Sequence, residues 1–199
     1  MLKRLLFGTI LLAVVLVLVS AGSLQYFALK AIDDAMQAPM PLATVPGPGP
    51  ASLAPPRPVV FVGNNWQGTI TVIDAVDYSV RGIINGIPDK RERLAQIKAS
   101  VIDRTVFYGI RQLVGEGHNQ YVDDMYSSLD GRHLIVSRPS FADVIAIDID
   151  SGQIAWRFEV AGLRADHMAL SPDGKQVAVS ASSGNTVHLL DVQTGEEFG

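Results

Sequence analysis

The sequence predicts an all-β fold made of repeated four-stranded units, carried behind an apolar N-terminal helix. Three observations predict it: an uncharged N-terminal run, a proline-rich stretch after it, and a self-similarity that appears on shifting the chain by 43 residues. The 199-residue chain is 48% hydrophobic and has a formal net charge of −4. This composition is typical of a globular protein with an added apolar terminus.

Residues 1–30 predict a membrane anchor or a secretion signal. Two basic residues precede an apolar run, and no further charge appears before Lys30. As a helix, residues 5–29 are long enough to cross about 30 Å of hydrocarbon, which favours a single-pass anchor. A cleaved signal peptide is the alternative, because the small residues at 19–21 are typical of a cleavage site. In both cases the basic end stays inside, so we expect the C-terminal domain to be periplasmic or extracellular: tethered to the cell membrane, or secreted if the signal is cleaved.

Residues 31–58 predict an extended linker. Eight of the eleven prolines of the chain fall between Pro39 and Pro58. Proline has no backbone N–H and a fixed φ, so such a stretch forms a semi-rigid spacer rather than a strand of a sheet. We expect it to separate the membrane segment from the domain after it.

Residues 59–199 predict a repetitive β domain. The stretch 123–152 aligns without a gap on 166–195, and eleven of the thirty positions are identical. Both copies contain an Asp-Gly turn, at Gly131 and Gly174, where glycine supplies the positive φ of a hairpin. A partial copy near the start lacks the first strand and its turn. Repeat units are therefore expected at about 59–86, 121–160 and 164–199.

A period of about 43 residues with four strands is the blade of a β-propeller. About two and a half blades are expected, fewer than the roughly four to eight of a closed ring, so we expect an incomplete propeller, either a natural truncation or a fragment. An insertion at about 87–117 separates the first two units. Within it, "PDKRERLAQIKASVI" has apolar residues at helical intervals and predicts a helix, whereas "RTVFYGI" predicts a strand.

Two stretches resemble known propeller families. "HMALSPDGKQVAVSASSGNTVHLLDVQTGE" and its copy one unit earlier resemble the WD-like blades of the YVTN family of bacterial β-propeller repeat proteins. "AIDIDSGQIAW" is similar to the tryptophan-docking motif of quinoprotein-type propellers, in which the tryptophan packs between neighbouring blades. The resemblance implies a propeller over about 59–199. Such blades serve many functions, so it implies no single activity.

The residue types exclude several classes of protein. The chain has no cysteine, which excludes disulfides, thiolate metal sites and a cysteine nucleophile. Its slight negative charge and scattered basic residues argue against a nucleic-acid partner. The sequence contains no nucleophile elbow, phosphate-binding loop or HExxH motif. We therefore predict no catalytic residue and no cofactor.

The candidate ligand-binding residues lie just before each innermost strand, where a propeller faces its central channel. They are His118, Asp123, Asp124, Asp166 and His167. Asp124 and His167 are equivalent positions in adjacent units, so we expect them to be neighbours at the channel mouth. Carboxylates with an imidazole suit a divalent metal or acid–base chemistry, and Asp124 and His167 are the metal-ligand candidates. The alternative is that these residues are structural and hydrogen-bonded, and spacing alone does not predict a metal site.

Other polar and aromatic residues are expected to have structural roles. Asp148 and Asp191 stand at matching strand ends before a turn, where a carboxylate accepts backbone N–H bonds. Trp156 and Trp66 are expected to pack between blades.

Together these patterns predict a membrane-tethered, envelope-facing propeller that binds a protein, peptide or glycan without catalysis. The alternative is a propeller enzyme of the lactonase or quinoprotein type, with a metal or quinone at the channel.

Overall fold

A computed structural model describes residues 2–44 and 58–198; for 2–12, 14 and 15 it describes the backbone alone. Residues 45–57 of the predicted linker, which hold five of its eight prolines, therefore lie outside the described residues. The chain divides into two compact units, one formed by residues 1–38 and 91–109 and the other by residues 39–90 and 110–199.

The first unit contains a long N-terminal helix, α1 (Leu2–Gln37). Its part Leu16–Gln37 is long and apolar enough to cross a membrane, and only 17% of the apolar window is buried; a signal sequence would pass the same test. The helix continues past residue 30 because the next residues favour helix and the first proline comes only at Pro39.

The insertion contains two helices where the sequence predicted one helix and a strand. It forms α2 (Lys90–Ala99) and α3 (Val101–Leu113), and the Asp103 amide donates to Ser100 Oγ at 3.2 Å as an N-terminal cap of α3. The strand predicted for "RTVFYGI" is wrong, because this stretch lies inside α3. Its β-branched and aromatic residues favour a strand, but the apolar residues Phe107 and Ile110 repeat at helical spacing and are both buried.

The described strands of the second unit form three antiparallel sheets in chain order. The first sheet has the order β1-β2-β3, the second β4-β5-β6-β7 and the third β10-β9-β8. A further bridge between Leu190 and Glu197 begins a fourth strand beside β10. The sheets do not close into a ring. The strands are β1 (Val59–Asn64), β2 (Thr69–Asp74), β3 (Val80–Asn85), β4 (Met125–Ser127), β5 (His133–Arg138), β6 (Asp143–Asp148), β7 (Ile154–Glu159), β8 (Met168–Leu170), β9 (Gln176–Ala181) and β10 (Thr186–Asp191).

The middle sheet packs face to face against both neighbours. Successive side chains of a strand point to opposite faces, so Leu134 and Val136 join a core cluster with Ile70 of the first sheet. Ile135, between them, joins another cluster with Val177 of the third sheet. This explains why β5 and β6 are almost continuously apolar and buried, whereas β9 alternates between buried and half-buried residues.

Candidate ligand-binding face

The binding residues predicted from the sequence lie at one end of the three sheets. The amide of Tyr121, before β4, donates to the Asn65 carbonyl in the β1–β2 turn at 3.1 Å. The amide of Leu163, before β8, donates to Ser183 Oγ in the β9–β10 turn at 2.6 Å. These two hydrogen bonds hold the segments before β4 and β8 against the β1–β2 and β9–β10 turns. We call this end the entry face; it comprises the segments 118–124 and 163–167 and the turns 65–68, 139–142 and 182–185.

Asp124 connects the second sheet to the third. Its Oδ2 accepts the backbone amide of Met168, at the start of β8, at 2.9 Å. The same oxygen lies 3.4 Å from Nδ1 of His167, so the predicted proximity of these equivalent residues is observed. The imidazole is otherwise open to solvent, with 83% of the His167 side chain exposed. Asp124 therefore has a structural hydrogen bond, and His167 stands at the surface beside it.

Asp123 is the carboxylate of this group that is left without a structural role. No hydrogen-bond partner for its carboxylate occurs among residues 2–44 and 58–198, although its backbone amide donates to the Ser137 carbonyl at 3.0 Å. Burial raises the pKa of Asp123 above its ordinary value, and the negative charge of Asp124 raises it further. A half-buried carboxylate with a raised pKa is a candidate for binding a ligand or transferring a proton.

Asp166 completes the cluster and is itself held in place. Its Oδ2 accepts the hydroxyl of Ser182 in the β9–β10 turn, and its Oδ1 contacts the guanidinium of Arg164. Asp166, Asp124 and His167 all act on the charge of Asp123, so the structure brings these four predicted residues together. In the part of the chain that is described, no three His, Asp or Glu side chains converge on one point that could hold a metal ion.

His118 lies elsewhere on the entry face and has a different neighbour. Its ring stacks on Trp66 of the β1–β2 turn, with 3.9 Å between ring centroids and 10° between planes. Trp66 is 54% exposed, so the expected packing between sheets does not hold for it. One face of the indole is covered by His118 and the remainder is open to solvent.

Amide side chains surround this exposed indole. A shallow depression of about 350 Å³ is lined by Asn64, Asn65, Trp66 and Gln67. The amide nitrogen of Asn64 donates to Thr69 Oγ1 at 2.9 Å, which fixes that side chain. Sequence reasoning missed this site because Trp66 has no counterpart in the other units. A signal was present, since an aromatic residue flanked by amides in "NNWQG" is unusual for a turn that has only to reverse the chain.

Apart from Trp66, the residues expected to be structural lie in turns or in the core. Asp148 Oδ1 accepts the amide and the hydroxyl of Ser151 at 2.8 Å, and Asp191 Oδ1 accepts backbone amides of its own turn. Gly131 and Gly174 have φ values of +69° and +67°. Trp156 lies in the core between the second and third sheets, where its Nε1 donates to the Val192 carbonyl at 3.1 Å.

Comparison with known proteins identifies no family for this chain. No protein-family model matches it, and no curated protein matches it. Among solved structures it is similar to the hydrazine synthase of Kuenenia stuttgartiensis, with 19% sequence identity and a TM-score of 0.47. The match covers 70% of this chain and 31% of that chain, so the present chain spans less than a third of that structure.

Proposed function

We propose that this protein is a membrane-tethered, envelope-facing binding module, built as part of a YVTN-like β-propeller, whose entry face takes a neutral glycan without catalysis. The observation that carries the proposal is the half-exposed indole of Trp66, stacked on His118 and bordered by amide side chains. The ring gives a flat apolar surface, and amide side chains border it.

The arrangement of the sheets supports the propeller. Three antiparallel sheets succeed one another in the chain and stack face to face, as successive blades do. The short strands β4 and β8 stand at corresponding edges of their sheets, where a blade places its innermost strand. On this interpretation the entry face is the mouth of the central channel.

The chemistry of the depression favours a glycan over a charged or strongly apolar ligand. A sugar ring has an apolar C–H face that stacks on an indole and hydroxyl groups that hydrogen-bond to amides. The residues lining the depression are one tryptophan and three amides, with no charged side chain. Ligand sites are generally built in this way, from an apolar surface and a few polar groups that fix orientation.

The membrane tether is supported by α1. The helix is long and apolar enough to span a bilayer, and the basic residues at its start favour export of the domain on its C-terminal side. A module held at the membrane surface by a proline-rich spacer would present its entry face to glycans of the envelope.

Fluorescence provides a direct test, because the chain has two tryptophans and Trp156 is only 9% exposed. Purified full-length protein in detergent is titrated with chitooligosaccharides and gluco-oligosaccharides. We expect saturable quenching of the exposed indole and, by calorimetry, a loss of affinity of about tenfold or more in Trp66→Ala, the equivalent of about 1.4 kcal/mol.

A matched control is Tyr78→Ala, which removes a 79% exposed aromatic side chain from the β2–β3 turn, at the opposite end of the first sheet. This variant should bind as the unaltered protein does. Absence of binding to every oligosaccharide, or an equal loss in Tyr78→Ala, would contradict the glycan site. Binding of unstructured peptides in place of sugars would reassign the ligand class.

A second candidate function, a propeller enzyme of the lactonase or quinoprotein type, is favoured by one observation. Asp123 has a raised pKa and lies beside Asp124 and His167, which is a combination suited to acid–base chemistry. Titration with Mn²⁺ and assays on simple lactones test it. Metal binding or turnover that disappears in both Asp123→Asn and His167→Ala would favour the enzyme over the binding module.

A further inference from the structure

The end of α1 is bound to the helices of the insertion within the first unit. Gln25 Nε2 donates to Thr105 Oγ1 at 2.8 Å, and Arg104 Nε donates to Gln25 Oε1 at 3.1 Å. Further along α1, Asp33 Oδ1 accepts the ammonium of Lys98 at 2.5 Å. The insertion therefore docks on the polar C-terminal part of α1, beginning at Gln25.

Gln25 is also the first residue after Arg4 whose side chain carries an amide or a charge, and residues 26–29 after it are again apolar. Residues 5–24 contain no side chain more polar than serine or threonine, and as a helix they extend over about 30 Å, the thickness of a bilayer core. Leu18 is 66% exposed in this part of the helix, as expected of a side chain that faces lipid. If residues 5–24 are the part of α1 that spans a membrane, Gln25 lies at the boundary between acyl chains and headgroups.

Four exposed apolar side chains flank this boundary contact. On α1, Tyr26 and Phe27 are 63% and 50% exposed, with their rings edge to face at 5.4 Å. At the start of α3, Val101 and Ile102 are 58% and 73% exposed. We call these four residues the interfacial patch.

The second turn of α3 is bonded to Gln25 and, through Thr105, to the first turn. Thr105 Oγ1, which receives the hydrogen bond from Gln25, itself donates to the Val101 carbonyl at 2.8 Å. Val101 is thus one helical turn, about 5 Å, from the contact with α1. Arg104 is held between Gln25 and the Lys98 carbonyl, to which its Nη1 donates at 2.7 Å.

We propose that the interfacial patch inserts into the phospholipid bilayer, so that α3 forms a second membrane contact beside the α1 anchor. This inference depends on the proposed membrane tether. Aromatic side chains concentrate at the headgroup level of bilayers, and exposed aliphatic side chains at a helix end gain free energy by leaving water for the acyl boundary. Exposed apolar groups that adjoin the end of a spanning segment are already at the depth where lipid is available.

The consequence is that the insertion restrains the tether. A single helix with a proline-rich spacer after it would leave the exported domain free to swing. A second contact through α3, bonded to α1 by Gln25 and Lys98, would fix the first unit on the membrane surface.

Single-cysteine labelling tests the proposal, because the chain contains no cysteine of its own. The variants Leu18→Cys, Ile102→Cys and Asp34→Cys are labelled with the dye NBD. Each full-length protein is reconstituted into phosphatidylcholine–phosphatidylglycerol vesicles with and without doxyl-labelled lipid. Leu18 reports the anchor; Ile102 reports the patch; Asp34 is a control on α1 about 13 Å beyond Gln25 along the helix axis.

We expect blue-shifted emission and quenching by doxyl lipid at Leu18 and Ile102, and water-like, unquenched emission at Asp34. Water-like emission at Ile102 with quenching at Leu18 would overturn the patch and leave the anchor intact. Blue-shifted but unquenched emission at Ile102 would mean that protein covers the patch, which also overturns the proposal. Quenching at Asp34 would show that the dye enters lipid from any position, and unquenched Leu18 would refute the tether itself.

Discussion

Arg138 is a fully buried cation that connects the insertion to the middle sheet. Its Nε and Nη2 donate to Asp143 at 2.7 Å, and its Nη1 and Nη2 donate to Asp89 at 2.5 and 3.0 Å. The guanidinium also lies 4.9 Å from the centre of the Phe141 ring. Asp89 stands at the start of the insertion, so the segment leaves the sheets from a point fixed by two charge-assisted hydrogen bonds.

Replacement of Arg138 should be strongly destabilising. Arg138→Met removes the cation that contacts both carboxylates and leaves Asp89 with Arg157 at 3.6 Å, so we expect the free energy of unfolding to fall by about 3–5 kcal/mol. Urea unfolding of the full chain, monitored by circular dichroism, measures it. The control Lys175→Met alters an exposed cation and should change stability by about 0.5 kcal/mol or less.

The same ion cluster should make the protein sensitive to acid. Burial tends to raise the pKa of Asp89, but the hydrogen bonds and charge of Arg138 outweigh it and hold the pKa below the ordinary value of 3.8. A carboxyl with a lowered folded-state pKa stabilises the fold above pH 3.8, and this contribution is lost as the pH falls through the lower, folded value. A pH dependence in Arg138→Met as steep as in the unaltered protein would contradict the assignment.

The Asp123 carboxyl should have the opposite effect on the pH dependence of stability. Because burial and Asp124 raise its pKa in the folded state, the ionised carboxylate opposes folding at neutral pH. Asp123→Asn is therefore expected to raise the melting temperature at pH 7, and the gain should disappear below pH 3.8, where the acid is protonated in both states. The measurement is thermal unfolding across a pH series.

Asp173→Asn is the matched control for this prediction. A hydrogen bond from Ser171 lowers the pKa of Asp173, so the same chemical change should give no gain in stability. A destabilised Asp123→Asn protein would show that the carboxylate has a structural partner. The cluster of acidic residues and His167 on the entry face would then stabilise the fold and would not be a binding site.

At the scale of single elements, local patterns predicted the repeat well. The Asp-Gly turns predicted at Gly131 and Gly174 stand between β4 and β5 and between β8 and β9, because hairpin chemistry is decided by neighbouring residues. "RTVFYGI" was misjudged because seven residues rich in β-branched and aromatic side chains fit a strand or a buried helix equally, and the cap at Ser100 decides for helix.

In the candidate site, too, some contacts could be predicted from the sequence and others could not. Asp124 and His167 could be paired from the sequence because equivalent residues of adjacent repeats become spatial neighbours. The stacking of Trp66 on His118 could not be predicted from the sequence, because it joins a turn to the end of an insertion that no other unit shares. Contacts that arise once in a fold leave no periodic trace in the sequence.

Two glycines with positive φ allow the cost of backbone strain to be measured separately from the cost of a steric clash. Gly131 has φ +69° and open space where a Cβ would stand, so Gly131→Ala should cost only the left-handed conformation, about 1–2 kcal/mol. At Gly195, with φ +71°, an added Cβ would come within 2.6 Å of the buried Trp156 ring. Gly195→Ala should therefore cost about 1–3 kcal/mol more, since overpacking adds to strain.

Comparison of the two alanine variants by urea unfolding isolates the packing between the second and third sheets. Equal losses would mean that Trp156 moves aside freely and contributes little to holding the sheets together. A larger loss for Gly195→Ala, reduced in a Trp156→Leu background, would show that the indole is a fixed contact between them.

At the scale of the whole molecule, the described sheets leave strand edges without a partner. β1 pairs only with β2, and its residues Val60 and Val62 are 49% and 41% exposed. The outer edge of β10 is paired with Glu197 at Leu190, and Val187, beyond that bridge, is 61% exposed. Exposed apolar edge strands are templates for pairing with another chain, which natural proteins block with charges or cover with other segments.

We therefore expect the 199-residue chain to associate through these edges in proportion to its concentration. The double variant Val60→Lys with Val187→Lys should remain monomeric at concentrations where the unaltered chain associates, because a lysine on an edge strand disfavours pairing without removing a core contact. Light scattering of the chain in lipid nanodiscs measures the association. Val76→Lys, a substitution of a 63% exposed valine in a turn, is the control and should associate as before. If the edge lysines leave association unchanged, the exposed strands are not its cause, and another surface of the molecule holds the copies together.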